Sequence, residues 1–404
     1  MSKISFTPNA SGTGTFTIAS PDSNTNRTLT LPDADGALLA GAQAAFIPAT
    51  VSGATQALDV SAANFFDAGT LTADTTVSFS SVPTEASWTY TAEVGIVSSY
   101  DLSIASYTGN NMATTVQTTP RTFYLSPNGL NSYVVGNGLV AQYDLSVAGD
   151  MSTGVYSSKN LNHSSQTGAS DGMFFKPDGT KLYITGGGSY FGYPDNVFQY
   201  TLSTAWDIST ASYDSVSFNP SSQTTWPRGL FFKPDGTKMY IASDYSENRV
   251  YEYGLSTAWS VSTASYNAQS PVLSSQDGTV TGCSFSDDGT KMFMVGTAND
   301  QVHQYALSTA WDVSTASYSS SFSVASQDLE PSDVFFGADG TKMYITGDQY
   351  NTILEYDTAS LTSITVPASV QNPPTQNFGV QRIAYTFYTL DGGTNVYLIN
   401  EEVL

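Results

Sequence analysis

Phe174-Phe-Lys-Pro-Asp-Gly-Thr-Lys181 recurs residue for residue as Phe231-Phe-Lys-Pro-Asp-Gly-Thr-Lys238. Looser copies are Phe285-Ser-Asp-Asp-Gly-Thr-Lys291 and Phe335-Phe-Gly-Ala-Asp-Gly-Thr-Lys342, with a worn one at Tyr124-Leu-Ser-Pro-Asn-Gly129. The residue before the turn glycine is therefore Asn128, Asp178, Asp235, Asp288 and Asp339, at steps of 50, 57, 53 and 51. Asp-Gly and Asn-Gly between apolar runs signal a β-hairpin. Around each, the sequence reads as four strands. Strand A precedes the turn and strand B follows it, as in Lys238-Met-Tyr-Ile241. Strand C is Val140-Ala-Gln-Tyr143, Val197-Phe-Gln-Tyr200, Val250-Tyr-Glu-Tyr253, Val302-His-Gln-Tyr305 and Ile353-Leu-Glu-Tyr356. Leu-Ser-Thr-Ala-Trp then leads to strand D, as in Asp207-Ile-Ser-Thr-Ala-Ser-Tyr213, through what reads as a tight C–D hairpin. Four short strands every ~50 residues describe a β-propeller blade.

Strand D closes the count. Four copies end at Tyr156, Tyr213, Tyr266 and Tyr318, and the fifth strand C has none after it. Upstream, however, Tyr100-Asp-Leu-Ser-Ile-Ala-Ser-Tyr107 matches Trp206-Asp-Ile-Ser-Thr-Ala-Ser-Tyr213. The expected fold is therefore all-β: a five-bladed propeller whose N-terminal strand completes the last blade, which removes exposed sheet edges. Such a ring begins and ends at one place, as an inserted domain does. Alternating segments on either side (57–60, 70–79 and 88–94; 363–367, 382–388 and 395–399) are too few in each half to hide a face alone, and together they make a small β-sandwich. The expected organisation is a segment over 1–44, the first half of the sandwich over 45–99, the propeller over 100–358, and the second half over 359–404.

Composition narrows the function. Lys and Arg number 13 against 35 Asp and Glu, a formal charge of −22, so a basic groove for nucleic acid is not expected. No stretch is apolar enough for a membrane helix, and Met1-Ser-Lys-Ile-Ser-Phe6 has no apolar core of an export leader. One cysteine, Cys283, excludes an intramolecular disulfide and reads as a buried thiol. Two histidines leave little for triad or metal chemistry; His303 shares its slot with Phe198, Tyr251 and Leu354 and reads as packing. Asp178, Asp235, Asp288 and Asp339 read as turn formers rather than calcium ligands. Trp206, Trp259 and Trp311 read as packing at the C–D edge. No cofactor or metal is expected.

The flanks also carry a resemblance. Ala57-Leu-Asp-Val60, Leu71-Thr-Ala-Asp-Thr-Thr-Val-Ser-Phe79, Ile364-Thr-Val-Pro-Ala-Ser-Val370 and Tyr385-Thr-Phe-Tyr-Thr-Leu-Asp-Gly-Gly393 resemble a β-domain of bacteriophage tail-fibre and other virion proteins. Gly12-Thr-Gly-Thr-Phe-Thr-Ile-Ala-Ser-Pro21, Asn26-Arg-Thr-Leu-Thr-Leu-Pro-Asp33 and Gly36-Ala-Leu-Leu39 are similar to an N-terminal motif of phage fibres. The resemblance implies a structural protein of a virion, assembled in the host cytoplasm. It implies a homotrimer attached through its N-terminal segment to other tail or virion proteins.

Within a blade, A–B and C–D loops share one face and B–C and D–A loops the other. The host sandwich replaces a C–D loop, so the opposite, distal face points away from it, and its loops read as different in every blade. Aromatic and polar residues there (Tyr190, Phe191, Tyr193, Trp226, Arg228, Asp244, Tyr245 and Tyr350) are the candidates for binding a host-surface glycan or protein. The alternatives are a decoration or spacer without ligand, and a glycan depolymerase using the strand-A carboxylates Asp171 and Asp333 as a pair. No catalytic residue is assigned, and no enzyme is expected.

Overall fold

The computed structural model describes residues 48–403, apart from 72–73, 85, 94–95, 187–191, 193, 245–246, 362–363, 372–381 and 390–392. Five antiparallel four-stranded sheets form a five-bladed β-propeller. Strands A to D are, in blade 1, Thr122–Leu125, Asn131–Gly136, Leu139–Leu145 and Gly154–Asn162. In blade 2 they are Ser170–Phe175, Lys181–Gly186, Val197–Leu202 and Ala211–Phe218; in blade 3, Pro227–Phe232, Lys238–Ser243, Arg249–Leu255 and Ala264–Gln269. In blade 4 they are Val280–Phe285, Lys291–Gly296, Gln301–Leu307 and Ala316–Ser323. Blade 5 takes Pro331–Phe336, Lys342–Gly347 and Thr352–Asp357 from one end of the ring and Ser106–Ala113 from the other, with Tyr356 facing Tyr107 in register.

Each A–B turn is a four-residue loop rather than a two-residue hairpin. In blade 2, Lys176 N–H donates to Lys181 O, and the Asp178 carboxylate accepts from Thr180 N–H (3.0 Å) and Oγ1 (2.6 Å). The aspartates thus stabilise turns, as their sequence context predicts. Gly179 has φ +72°, and a Cβ there would lie 2.4 Å from the Trp206 ring. Trp259 covers Gly236 and Trp311 covers Gly289 in the same way. The tryptophans therefore reach from the C–D loops over the A–B turn of their own blade. In blade 5 the cover over Gly340 is Tyr100, so the upstream copy supplies the ring as well as the strand.

Two strand expectations need correction. The Asp-Ile-Ser-Thr segment expected to open strand D is a 3-10 turn, Ile208–Thr210, because the Asp207 side chain accepts from Ser209 N–H and caps it. Strand D begins only at Ala211 and runs past Tyr213 to Phe218, so the C–D connection is a capped loop, not a tight hairpin. The same turn recurs at Met151–Thr153, Val261–Thr263 and Val313–Thr315.

Blades are joined by a repeated pair of bonds. The strand-B tyrosine of one blade donates to the C–D loop of the next: Tyr133 to Trp206 O (2.6 Å), Tyr183 to Trp259 O (2.6 Å), Tyr240 to Trp311 O (2.8 Å) and Tyr344 to Gly149 O (2.9 Å). Blade 4 has Phe293 instead, and Lys291 Nζ makes the bond to Tyr100 O (2.9 Å). The strand-C amide or acid accepts the first N–H of the next blade's 3-10 turn, as Gln142 does from Ile208 and Glu355 from Met151. Local sequence repeats thus become a closed ring.

The flanks interleave. A six-stranded sheet places Arg382–Thr389 beside Ala86–Glu93, and a three-stranded sheet places Ile364–Thr365 beside Thr75–Ser80. Leu58, Val77, Trp88 and Phe387 share one buried core between them. The expected strand over 70–79 is divided into Phe65–Thr70 and Thr75–Ser80, each paired in parallel within its own sheet. Ile96–Ser98 pairs with Ser360–Leu361, so the chain enters and leaves the propeller side by side. The N-terminal fibre-like motif lies outside the described residues.

Candidate functional site

The five strand A segments line the axis, and register decides which residues meet there. Arg121, Asp171, Arg228, Thr281 and Ser332 each stand seven residues before the turn Asn or Asp of their blade. Closure brings all five around one shallow, water-sized depression at the distal end of the axis. The layer beneath is Thr122, Gly172, Gly229, Gly282 and Asp333. It is tightly filled: a Cβ at Gly229 would lie 2.8 Å from Gly282 Cα, and one at Gly282 would lie 2.5 Å from Asp333 Oδ1. The glycines are required by this approach of backbones, which gives the depression a floor.

The rim is an ion-pair network. Arg228 Nη1 is 2.9 Å from Asp171 Oδ2, and Arg228 Nη2 donates to Asp244 Oδ2 at 3.1 Å. Arg121 Nη1 donates to Asp348 Oδ2 at 2.9 Å, while its Nε stays 3.7 Å from Asp171 Oδ1. The Arg228 guanidinium lies 5.3 Å from the half-buried Trp226 ring, a cation–π distance. Across the ring, Thr281 Oγ1 donates to Val295 O and Ser332 Oγ to Pro120 O, so both hydroxyl protons are used on backbone. Asp244 and Asp348 each follow strand B directly, at the start of a B–C loop. Burial pushes the Asp348 carboxyl up, with Arg121 opposing it.

The structure assembles three predicted residues, Trp226, Arg228 and Asp244, into this cluster. It adds two that the sequence reading missed, Arg121 and Asp348. A signal existed for one of them: Thr119-Pro-Arg121 and Trp226-Pro-Arg228 share the same distance to their turns. Tyr350 is 62% exposed on the blade 5 B–C loop. Tyr190, Phe191, Tyr193 and Tyr245 lie outside the described residues.

The distal loops are also less variable than expected. D–A connections open on one repeated turn, in which His163, Pro220, Leu273 and Val324 carbonyls each accept the N–H groups three and four residues on. Ser164-Ser-Gln-Thr167, Ser221-Ser-Gln-Thr224, Ser274-Ser-Gln-Asp277 and Ala325-Ser-Gln-Asp328 carry it. The buried Asp277 carboxylate caps the following blade through Thr279 and Asn299 N–H (2.8 and 3.0 Å). Variation resides in the B–C loops. Among the described residues no group of three His, Cys, Asp or Glu is placed to hold a metal ion.

Asp171 and Asp333 lie in successive layers, not side by side on the rim. Asp171 is held by Arg228 and approached by Arg121, and Asp333 is 5% exposed. Burial raises the Asp333 pKa well above the carboxylate range, against a long bond (3.4 Å) from Phe123 N–H. A raised folded-state pKa means a penalty at neutral pH that is relieved as pH falls through it. Asp333→Asn, which cannot ionise, is accordingly expected to stabilise the protein at pH 7. The gain should shrink in acid; urea denaturation at pH 7 and pH 4.5 measures both values.

No protein-family model matches the sequence, and no curated protein does. Among solved structures, a protein from Bacteroides uniformis described as a "putative 6-phosphogluconolactonase" is similar over 59% of this chain and 68% of its own, at 14% identity and a TM-score of 0.37. A functionally unknown protein from Desulfotomaculum acetoxidans is similar over 61% of this chain and 89% of its own, at 11% identity and TM-score 0.37. A protein from Lactobacillus plantarum covers 70% of this chain and 71% of its own, at 14% identity and TM-score 0.37.

Proposed function

We propose that the chain is a non-enzymatic appendage protein of a bacteriophage virion, whose propeller presents its distal axial end to a glycan or protein on the host surface. The observation that carries the binding part is placement. Entry and exit strands leave together at the C–D side, where Tyr100 N–H bonds to Gly340 O and Asp101 N–H to Thr358 O. The opposite end, with the Arg121–Asp171–Arg228 network, is the one turned away from the host sandwich. Concave axial ends with converging polar groups are where ligands are recognised. The virion setting rests on the resemblance of the flanks and of residues 12–39 to phage fibres. A homotrimer attached through the N-terminal segment follows from the same resemblance.

The depolymerase reading is weaker because its two carboxyl groups are not presented to a scissile bond: one sits in ion pairs and the other is buried. Adsorption to a panel of bacteria tests the proposal, with labelled full-length protein against a chain whose residues 101–357 are replaced by a short Ser-Thr-Ala loop. Saturable binding by the first alone supports a receptor-binding head. Binding by both moves the site to the flanks, and binding by neither on every strain favours a spacer. Release of reducing ends from host polysaccharide, lost in Asp333→Asn, would establish the enzyme instead.

A further inference from the structure

Resting on the reading of the distal end as the face that meets the host, we infer that its contact point is the blade 5 corner formed by Leu329 and Tyr350. The partner is a host-surface protein that presents an apolar side chain beside lysine or arginine. Blades 4 and 5 build this corner on one scaffold, so the repeat supplies its own comparison. In blade 4 the buried Asp277 carboxylate accepts Thr279 and Asn299 N–H (2.8 and 3.0 Å), which ties the D–A loop to the B–C loop. In blade 5 the buried Asp328 does the same with Glu330 and Tyr350 N–H (2.8 and 3.4 Å). Gln349 Oε1 adds a bond from Leu329 N–H (3.1 Å). On this shared frame blade 4 carries Gly278 and Asn299, where blade 5 carries Leu329 and Tyr350. Leu329 is 49% exposed and Tyr350 62%, so burial explains little of their presence. Pinned loops hold both side chains out at small further cost in ordering.

Apolar side chains on adjoining rigid loops are what protein interfaces centre on, and tyrosine is among the residues that contribute most there. A glycan asks for something else. Its hydroxyls need donors and acceptors beside the ring, yet the Leu329 side chain has none. The Asp328 carboxylate and the Gln349 carbonyl are spent on backbone N–H groups. Charge then selects among proteins. Glu330 is exposed next to Leu329, and Asp300 ends the B–C loop of blade 4. Among the described residues neither has an ion-pair partner, and Arg121 is bound to Asp348. Burial, and then the charges of Asp277, Asp328 and Glu330, raise the Asp300 carboxyl, so negative charge is in excess at this corner. An anionic polysaccharide is repelled there, whereas lysine or arginine around an apolar side chain complements it.

The test uses a bacterial strain to which labelled full-length protein adsorbs, with the chain lacking residues 101–357 as the blank. Leu329→Gly combined with Tyr350→Asn gives blade 5 the residues that blade 4 carries on the same frame, and its urea unfolding should match the wild type. This paired variant should weaken adsorption about tenfold or more, the usual weight of an interface anchor. Glu330→Lys should also weaken it, and added salt should weaken the wild type. Brief protease treatment of the cells should remove adsorption, and periodate oxidation of their sugars should not. Equal adsorption by the paired variant and the wild type overturns the inference, as does tighter adsorption by Glu330→Lys. Loss on periodate but not on protease overturns it too, because the ligand is then a glycan. In each of these cases the full-length protein still adsorbs where the blank does not, so the reading of a receptor-binding propeller stands. Adsorption by the blank, or by neither protein on any strain, sinks that reading and this inference with it.

Discussion

Glu252→Ala is expected to destabilise the protein by about 3–5 kcal/mol, the usual cost of breaking a buried ion pair, whereas Glu252→Gln should cost about 1 kcal/mol. Glu252 is fully buried in strand C of blade 3, where nothing but packing and hydrogen bonds can hold a charge. One carboxylate oxygen is 2.7 Å from Lys238 Nζ and is also approached by Asn267 Nδ2; the other accepts Val313 N–H at 3.3 Å. Truncation leaves a half-buried ammonium with only Trp311 O (2.8 Å) for company, and it strips the first N–H of the blade 4 turn of its acceptor. Both losses fall on the seam between two blades. Glutamine restores the acceptor, and the chain supplies its own control: Gln142 and Gln199 do this work toward Ile208 and Val261 in blades 1 and 2. Urea unfolding of the three proteins, compared through midpoints at unchanged slope, gives the order; equal losses for alanine and glutamine would show that the charge, not the bond across the seam, is what blade 3 needs.

Blade count and closure were legible because each rests on local signals that recur from blade to blade. An Asp-Gly or Asn-Gly turn, a strand-C tyrosine and a Trp/Tyr-Asp segment can each be recognised inside ten residues, and Tyr100 matches Trp206 of blade 2 although it stands before blade 1 and serves blade 5. Strand D was misjudged for a local reason too. Asp-x-Ser-Thr suits both an extended strand and a capped turn, and only the bond from Ser209 N–H to Asp207 decides between them. The axial cluster was harder to see. Its members are some fifty residues apart, and Arg121 reaches Asp348 only because blade 5 closes against blade 1. What the sequence did hold was their common offset of seven from the turn, a register signal rather than a motif. The repeated Ser-Gln-Thr/Asp turn is an equally local signal, set in the D–A loops between B–C loops that differ from blade to blade.

His163 should make the protein acid-sensitive by about 3 kcal/mol, the value of a shift from 6.5 to about 4. It opens the D–A turn after blade 1, is fully buried, and neither ring nitrogen has a hydrogen-bond partner. Burial lowers its pKa to about 4; the loose approach of the Thr167 and His163 backbone, which favours the charged ring, is the smaller effect. The unfolded chain takes up its proton near pH 6.5, before the folded one does. Its stabilising contribution is therefore complete above pH 6.5 and is lost as pH falls toward 4. His303 is shifted the same way by burial, while Asp300, Asp328 and Asp333 are raised and favour the fold as pH drops. The raw pH profile mixes these signs, so the informative quantity is a difference. The blade 3 turn carries Leu273 at the same place, buried and compatible with the same backbone, which makes His163→Leu the matched variant. Its stability relative to wild type should rise by about 3 kcal/mol between pH 7 and pH 4, measured by urea unfolding at each pH. A constant difference across that range would mean that the folded protein admits the charged ring, and that the D–A turn opens more readily than its hydrogen bonds suggest.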